Sequence, residues 1–269
     1  MATLIKYFGG KGRQWKHIIK FFPDHQTYVE PFGGGASVLL NKSPSPVEVY
    51  NDLNKSVFGI FYAMKHDADE FARLLSLTLY SENEFADSFI PQPTPTRQAV
   101  ADYVRFRQSF GAIGRGFSFS KTESTRGMSR NVFCWWSQID NMLPVIAKRL
   151  MAVQMMNRPA IELFKVYDTR ETLFYLDPPY VHSTRTDTQE FYGVEMTDAD
   201  HVELLTSIKS VEGKVILSGY HNELYDDMIG DWRTVELQIT NSASRCERKR
   251  IMTEVIWMNF DDDISPFLF

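Results

Sequence analysis

The chain has 269 residues and a mass of 31.1 kDa, enough for one large domain or two smaller ones with buried cores. With 43% apolar, 23% charged and 14% aromatic residues, and no run approaching roughly 18 apolar positions, the composition excludes collagen, wholesale disorder and a helical membrane span. The net charge of −5 speaks against a polyanionic partner, because binding a phosphate backbone rests on Lys and Arg releasing condensed counterions.

From the N-terminus, MATLIKYFGGKGRQ has no apolar run followed by a small-residue cleavage site, so no secretory address is expected. Residues 27–32 form a short apolar run ending at glycines, residues 36–42 can open a helix, and residues 47–52 read as a second strand. Two parallel strands joined by a helix is the economical reading. From Leu53 to about Arg158 the periodicity is helical, over 53–67, 68–78 and 97–110, with PQPTPT before the last; no strand alternation is expected there. A polar loop over 111–131, rich in Gly, Ser and Arg, precedes another helical pattern over 134–151, and a connection of that kind inside helical sequence points to function. Beyond Arg158 strands and helices alternate again: a strand over 172–176, a helix opened by Thr197 and Asp198, a strand over 214–220, and two long β patterns, 233–240 and 250–260, that can pair as an antiparallel hairpin.

This order predicts an α/β fold with a mostly parallel sheet covered on both faces. One domain, 1–56 and 159–269, is assembled from both chain ends, and a helical insertion, 57–158, carries the basic segment. Seven basic residues (Arg97, Arg105, Arg107, Arg115, Lys121, Arg126, Arg130) stand there against Asp102 and Glu123, a local +5 that leaves −10 for the rest. Such asymmetry points to a polyanion, or else to a solvated basic loop. Phe117 and Phe119, interleaved with Arg115 and Lys121, are divided between packing and base contact. Trp135-Trp136 reads as core rather than a stacking platform.

Two clusters carry the chemistry. In the first, Tyr28-Val29-Glu30-Pro31-Phe32-Gly33-Gly34-Gly35 runs from a strand into three glycines, where a nucleotide-like ligand can approach the backbone; a tight turn uses glycine too. Asp52 ends the next strand, where a carboxylate accepts hydrogen bonds from ribose hydroxyls or, alternatively, caps the following helix. In the second, Asp177-Pro178-Pro179-Tyr180 follows a buried strand. Two prolines cannot extend a central strand and hold a carboxylate, a carbonyl and a ring on a stiff ledge. Gly9-Gly10-Lys11 lacks the spacing of a phosphate-binding loop. The histidines form no HExxH pair and Cys134 and Cys246 stand far apart, so no metal site, serine-hydrolase elbow or disulfide framework is expected, and a reducing cytoplasm fits.

With Glu30-Pro31-Phe32-Gly33-Gly34-Gly35 followed far downstream by Asp177-Pro178-Pro179-Tyr180, the chain resembles the Dam-like DNA adenine-N6 methyltransferases over nearly its whole length. Lys6-Tyr7-Phe8-Gly9-Gly10-Lys11 is similar to the family's N-terminal Lys-Trp-Ala-Gly-Gly-Lys motif, with Tyr and Phe replacing Trp and Ala. Asn51-Asp52-Leu53-Asn54 matches its acidic motif, and Arg245 to Asn259, with Glu254-Val255-Ile256-Trp257, its C-terminal motif.

The resemblance implies a Rossmann-like, seven-stranded S-adenosylmethionine-dependent methyltransferase sheet with a terminal reversed hairpin. It also implies methyl transfer from S-adenosylmethionine to N6 of an adenine flipped from double-stranded DNA, leaving S-adenosylhomocysteine, in the cytoplasm of a bacterial or phage-infected cell. Cofactor contacts carry over as Tyr7, Lys11, Glu30, Phe32, Gly33, Gly35, Asp52 and Asp177, catalysis as Asp177, Pro178, Pro179 and Tyr180, and DNA contacts as Arg115, Phe117, Lys121, Arg126 and Arg130. No metal is expected. RNA or a protein glutamine as acceptor, and a DNA-binding protein without catalysis, stand as alternatives.

Overall fold

The structure, a computed structural model, describes residue 5 and residues 10–112, 114–121, 124–181, 195–240 and 251–261. In chain order its elements are α1 (Trp15–Ile18), β1 (Thr27–Glu30), β2 (Val47–Asn51), α2 (Lys55–His66), α3 (Ala68–Ser76), α4 (Glu82–Asp87), α5 (Pro95–Gln108), β3 (Ser124–Thr125), β4 (Met128–Ser129) and α6 (Arg130–Ser137). There follow α7 (Leu143–Leu150), β5 (Gln154–Met156), α8 (Ala160–Tyr167), β6 (Thr172–Leu176), α9 (Asp198–Lys209), β7 (Lys214–Gly219), α10 (Glu223–Ile229), β8 (Arg233–Thr240) and β9 (Ile251–Met258).

Seven strands form one mixed sheet in the order β5-β2-β1-β6-β7-β9-β8, the α/β arrangement expected from the sequence. β1 lies parallel to β2 and β6, and β6 parallel to β7. β9 runs antiparallel to both β7 and β8, which makes the terminal pair the expected reversed hairpin. β6 is buried at all five positions, as a central parallel strand covered on both faces must be. β8 instead alternates between half-buried and exposed residues from Arg233 to Gln238, the mark of an edge strand with one wet face.

Contacts divide the chain into two compact units: residues 1–15, 34–42 and 54–157, and residues 16–33, 43–53 and 158–269. The second is built on the sheet. α8 is seated on it through Phe164, edge-on to Phe174 at 5.2 Å, and α9 opens with a reciprocal capping box between Thr197 and Asp200. The first unit is mostly helical, with the short strands β3, β4 and β5. Tyr103 of α5 is fully buried between Phe71 and Trp135, and that burial pushes its phenol up to about 12. Trp135 is core as expected, whereas its neighbour Trp136 is exposed.

Some local expectations are corrected. Residues 36–42 form successive turns instead of a helix: Ala36 takes a φ of 51°, and isolated bonds such as Leu40 N–H to the Ala36 carbonyl follow before Pro44. Ala36 lies outside the right-handed region and cannot itself be helical, and the few residues between it and Pro44 close only separate turns. The helical pattern over 134–151 is two α-helices joined by a π-helical turn at Gln138–Met142, with Pro144 in the first turn of α7, where its missing N–H is harmless. The stretch from Leu53 to Arg158 does contain strands; β3, β4 and β5 have two or three residues each, too few for a period of two to register. Among the described residues no helix is long and apolar enough to cross a membrane, and no group of three or more His, Cys, Asp or Glu residues is placed to hold a metal ion.

Candidate active site

Because β1 and β6 are parallel neighbours with Val29 opposite Phe174, both chains leave the sheet at the same edge. Glu30 to Gly33 and Asp177 to Tyr180 therefore emerge on one side of the sheet. β2 flanks β1 with Tyr50 opposite Glu30, which brings Asp52 out at that edge as well. This is the switch point of the strand order, where open α/β sheets form their ligand crevice.

Three adjacent strands thus end near carboxylates. Glu30 is 2% exposed and accepts a hydrogen bond from the Tyr28 hydroxyl at 2.9 Å. Burial and then the Glu30 charge hold the Tyr28 phenol well above its ordinary range, so it stays a donor. Asp52 is half-buried; the cap of α2 is Asn54, whose side chain accepts from Ser56 and Val57 N–H, so Asp52 is not the cap. Asn51, fully buried, braces the turn after β1 by donating to the Pro31 carbonyl at 2.8 Å and exchanging bonds with the Arg158 backbone.

The glycines divide by cause. Gly33 is required by packing: a Cβ there would overlap the Tyr50 ring, and its N–H already donates to the Asn51 carbonyl. Gly34 takes a φ of 47°, the left-handed region that favours glycine. Lys11 and Gly35 are buried members of the helical unit, Phe32 is half-buried, and Tyr7 lies outside the described residues, as does Arg245.

At the end of β6, Pro178 is buried while Asp177, Pro179 and Tyr180 are half-buried. The parallel register that sets Leu176 opposite Leu217 places Ser218 beside Asp177, and the Ser218 hydroxyl donates to Asp177 Oδ1 at 3.1 Å. Ser218 is itself fully buried, 3.2 Å from the Tyr175 hydroxyl, so the carboxylate is oriented from inside the core. Burial, and next the Asp177 charge, push the Tyr225 phenol upward. Tyr220, just past β7, meets the Tyr180 ring at 4.6 Å and 65°. Sequence reading passed over Ser218 and Tyr220, since only register brings them to Asp177 and Tyr180. The Glu254-Val255-Ile256-Trp257 stretch lies in β9 and is buried throughout.

Chemically, carboxylates at three strand ends accept hydrogen bonds from hydroxyl and ammonium groups and repel phosphates.

The basic segment resolves into inward and outward cations. Arg107 is buried, and Arg105 is bonded to the Ser88 carbonyl and paired with Asp102 at 3.4 Å. Arg115, Lys121, Arg126 and Arg130 are exposed. Arg115 sits between Gly114 and Gly116, with φ of 70° and 68°, in a loop closed by Phe110 N–H to the Gly116 carbonyl and Ser118 N–H to the Gln108 carbonyl. Arg126 and Gly127 turn the β3–β4 hairpin with φ of 51° and 77°, the positive pair of a type I′ turn in which Asn or Gly is usual and Arg is not. Phe117 is half-buried against Tyr80 and Phe85, which favours packing, whereas Phe119 is exposed with Lys121 Nζ 5.9 Å over its ring.

The chain is 24% identical over 253 residues to the modification methylase LlaI of Lactococcus lactis subsp. lactis, an alignment that covers 85% of this chain and 38% of that protein. The chain therefore spans well under half the length of this curated relative. A family model described as D12 class N6 adenine-specific DNA methyltransferase matches residues 7–243, and with most of its length so matched the chain belongs to that family.

Proposed function

We propose that this chain transfers a methyl group from S-adenosylmethionine to the N6 amino group of an adenine everted from duplex DNA. The observation that carries the reading is the parallel pairing of β1 with β6, which delivers the Glu30–Gly33 turn and the Asp177–Tyr180 ledge to one sheet edge. S-adenosylmethionine supplies an electrophilic methyl on a positively charged sulfur. The residues fit it: Glu30, Asp52 and Asp177 offer acceptors for its ribose hydroxyls and ammonium, with Phe32 and Gly33 at the turn. Lys11, Gly35 and Tyr7 are assigned to it on the family motif alone.

The adenine amino nitrogen is a poor nucleophile because its lone pair is delocalised into the ring, and inside a duplex it is also paired and stacked. Eversion costs a few kcal/mol and makes the nitrogen reachable. Asp177 and the Pro178 carbonyl accept its two amino hydrogens, which favours a tetrahedral nitrogen with its lone pair directed at the methyl, and the one proton that methylation makes surplus passes from the nitrogen to Asp177 and on to solvent. Tyr180 stacks on the purine. Because Ser218 orients Asp177 from the core, the acceptor is in place before substrate arrives, and the rate gain comes from orientation and fixed dipoles.

Arg115, Lys121, Arg126 and Arg130 contact the DNA backbone or bases, and the left-handed Arg126 at the hairpin tip is the strongest sign of that role. A non-glycine residue held at positive φ persists where function retains it. Incubating the purified chain with labelled S-adenosylmethionine and duplex DNA, RNA or a protein extract tests the reading. N6-methyladenine in duplex DNA at one sequence context is expected; label only in RNA or protein, or on cytosine, overturns it.

A further inference from the structure

We propose that Tyr220 is a positioning residue for the everted base, acting by holding the Tyr180 ring in its stacking orientation; this rests on the function proposed above. Two strands cooperate in building the ledge. The chain leaving β6 supplies Asp177 and Tyr180, and β7, its parallel neighbour, continues two residues beyond the last paired position, Leu217. Ser218 lies in β7 and Tyr220 directly follows its end: Ser218 donates to Asp177 Oδ1, and Tyr220 places its ring 4.6 Å from that of Tyr180 at 65°.

The prolines restrict the backbone leading into Tyr180 but leave the rotation of its own ring open. A near-perpendicular neighbour at that distance closes the rotation, because turning either ring brings edge carbons into collision. Tyr220 is a firm bracket. The Asn222 amide donates to its carbonyl at 2.9 Å, and the same side chain caps α10 by accepting from Tyr225 N–H at 3.0 Å. Tyr225 packs against Trp257 at 5.3 Å, and a Cβ at Gly219 would stand 3.3 Å from that indole, a tight contact. The bracket is thereby tied to β9.

The test uses the full chain with Tyr220→Phe, Tyr220→Leu, Tyr220→Ala, Tyr180→Ala and the double alanine variant, on duplex DNA carrying the methylated sequence context of the wild type. Methyl-transfer kinetics are paired with the emission of 2-aminopurine at the target adenine. Tyr220→Phe keeps the ring and is expected to match the wild type. Tyr220→Leu and Tyr220→Ala are expected to lower kcat/KM about tenfold and to brighten 2-aminopurine, since an everted base without a fixed stacking partner is less quenched. Affinity for S-adenosylhomocysteine and the thermal midpoint are expected to stay, and the double variant to behave like Tyr180→Ala alone, because Tyr220 works through Tyr180.

Wild-type kinetics and emission in Tyr220→Ala and Tyr220→Leu, fully additive losses in the double variant, or a fall in S-adenosylhomocysteine affinity together with the thermal midpoint each overturn the assignment. Failure of the wild type itself to methylate adenine would instead sink the function on which it rests.

Discussion

Asp177 and Arg126 stand at the two extremes of how this chain places a charged side chain. Asp177 follows a strand buried at all five positions, and a fully buried serine on the next strand sets the direction of its carboxylate. Arg126 is exposed at the tip of a hairpin whose strands have two residues each, in a backbone conformation that its side chain disfavours. In the role proposed for it, Asp177 turns an amino lone pair toward a methyl and has to be held to a fraction of an ångström, which a register fixed by core packing provides. A cation that neutralises a phosphate gains from remaining hydrated until contact, and it tolerates motion. Precision is drawn from the sheet, and reach from loops.

The hardest break of this contrast is Asp177→Asn. It keeps the acceptor oxygen for Ser218 and removes the charge, so kcat for methyl transfer is expected to fall by about 10³-fold with the unfolding midpoint unmoved; retained turnover removes Asp177 from the chemistry. Next is Gly33→Ala, whose new methyl overlaps the Tyr50 ring and is expected to cost about 1–3 kcal/mol in urea unfolding. Part of that loss is expected to return when Tyr50→Val opens the space, and an equal cost in both backgrounds refutes the packing explanation.

On the loop side, Arg115→Ala with Lys121→Ala is expected to reduce the slope of log affinity for duplex DNA against log salt by about 2, roughly one per cation, leaving kcat at saturating DNA intact. An unchanged slope places these cations away from the phosphates. The smallest effect sharpens the comparison. Arg126→Asn suits the left-handed turn and is expected to raise stability by up to about 1 kcal/mol while DNA affinity drops. Lower stability by denaturant titration shows that Arg126 is not strained.

Much of the sheet was legible because its strands are apolar runs bounded by turn residues. The runs at 27–32, 47–52, 172–176, 214–220, 233–240 and 250–260 contain β1, β2, β6, β7, β8 and β9. The Asp177 ledge was visible for a local reason, the double proline. Three features were not. Residues 36–42 form turns where a helix could open, with Ala36 at a φ of 51°, and no periodicity reports a φ. Arg105 and Arg107 count toward the basic segment in one dimension, yet the fold turns them inward. That a side chain at Gly33 would meet the ring of Tyr50, a strand away, is likewise invisible in the local sequence.

What the sequence determined by itself lies within a few residues of each position: the stiffness of Asp177-Pro178-Pro179, the helix start at Thr197 and Asp198, and the surplus of cations between Arg97 and Arg130. These follow from dihedral limits, local hydrogen bonds and composition, which need no distant partner. Tertiary structure alone decided that Ser218 stands beside Asp177 and Tyr220 beside Tyr180. Parallel register is chosen by burying whole strand faces against helices far along the chain, and that sum belongs to no segment until all of them are packed.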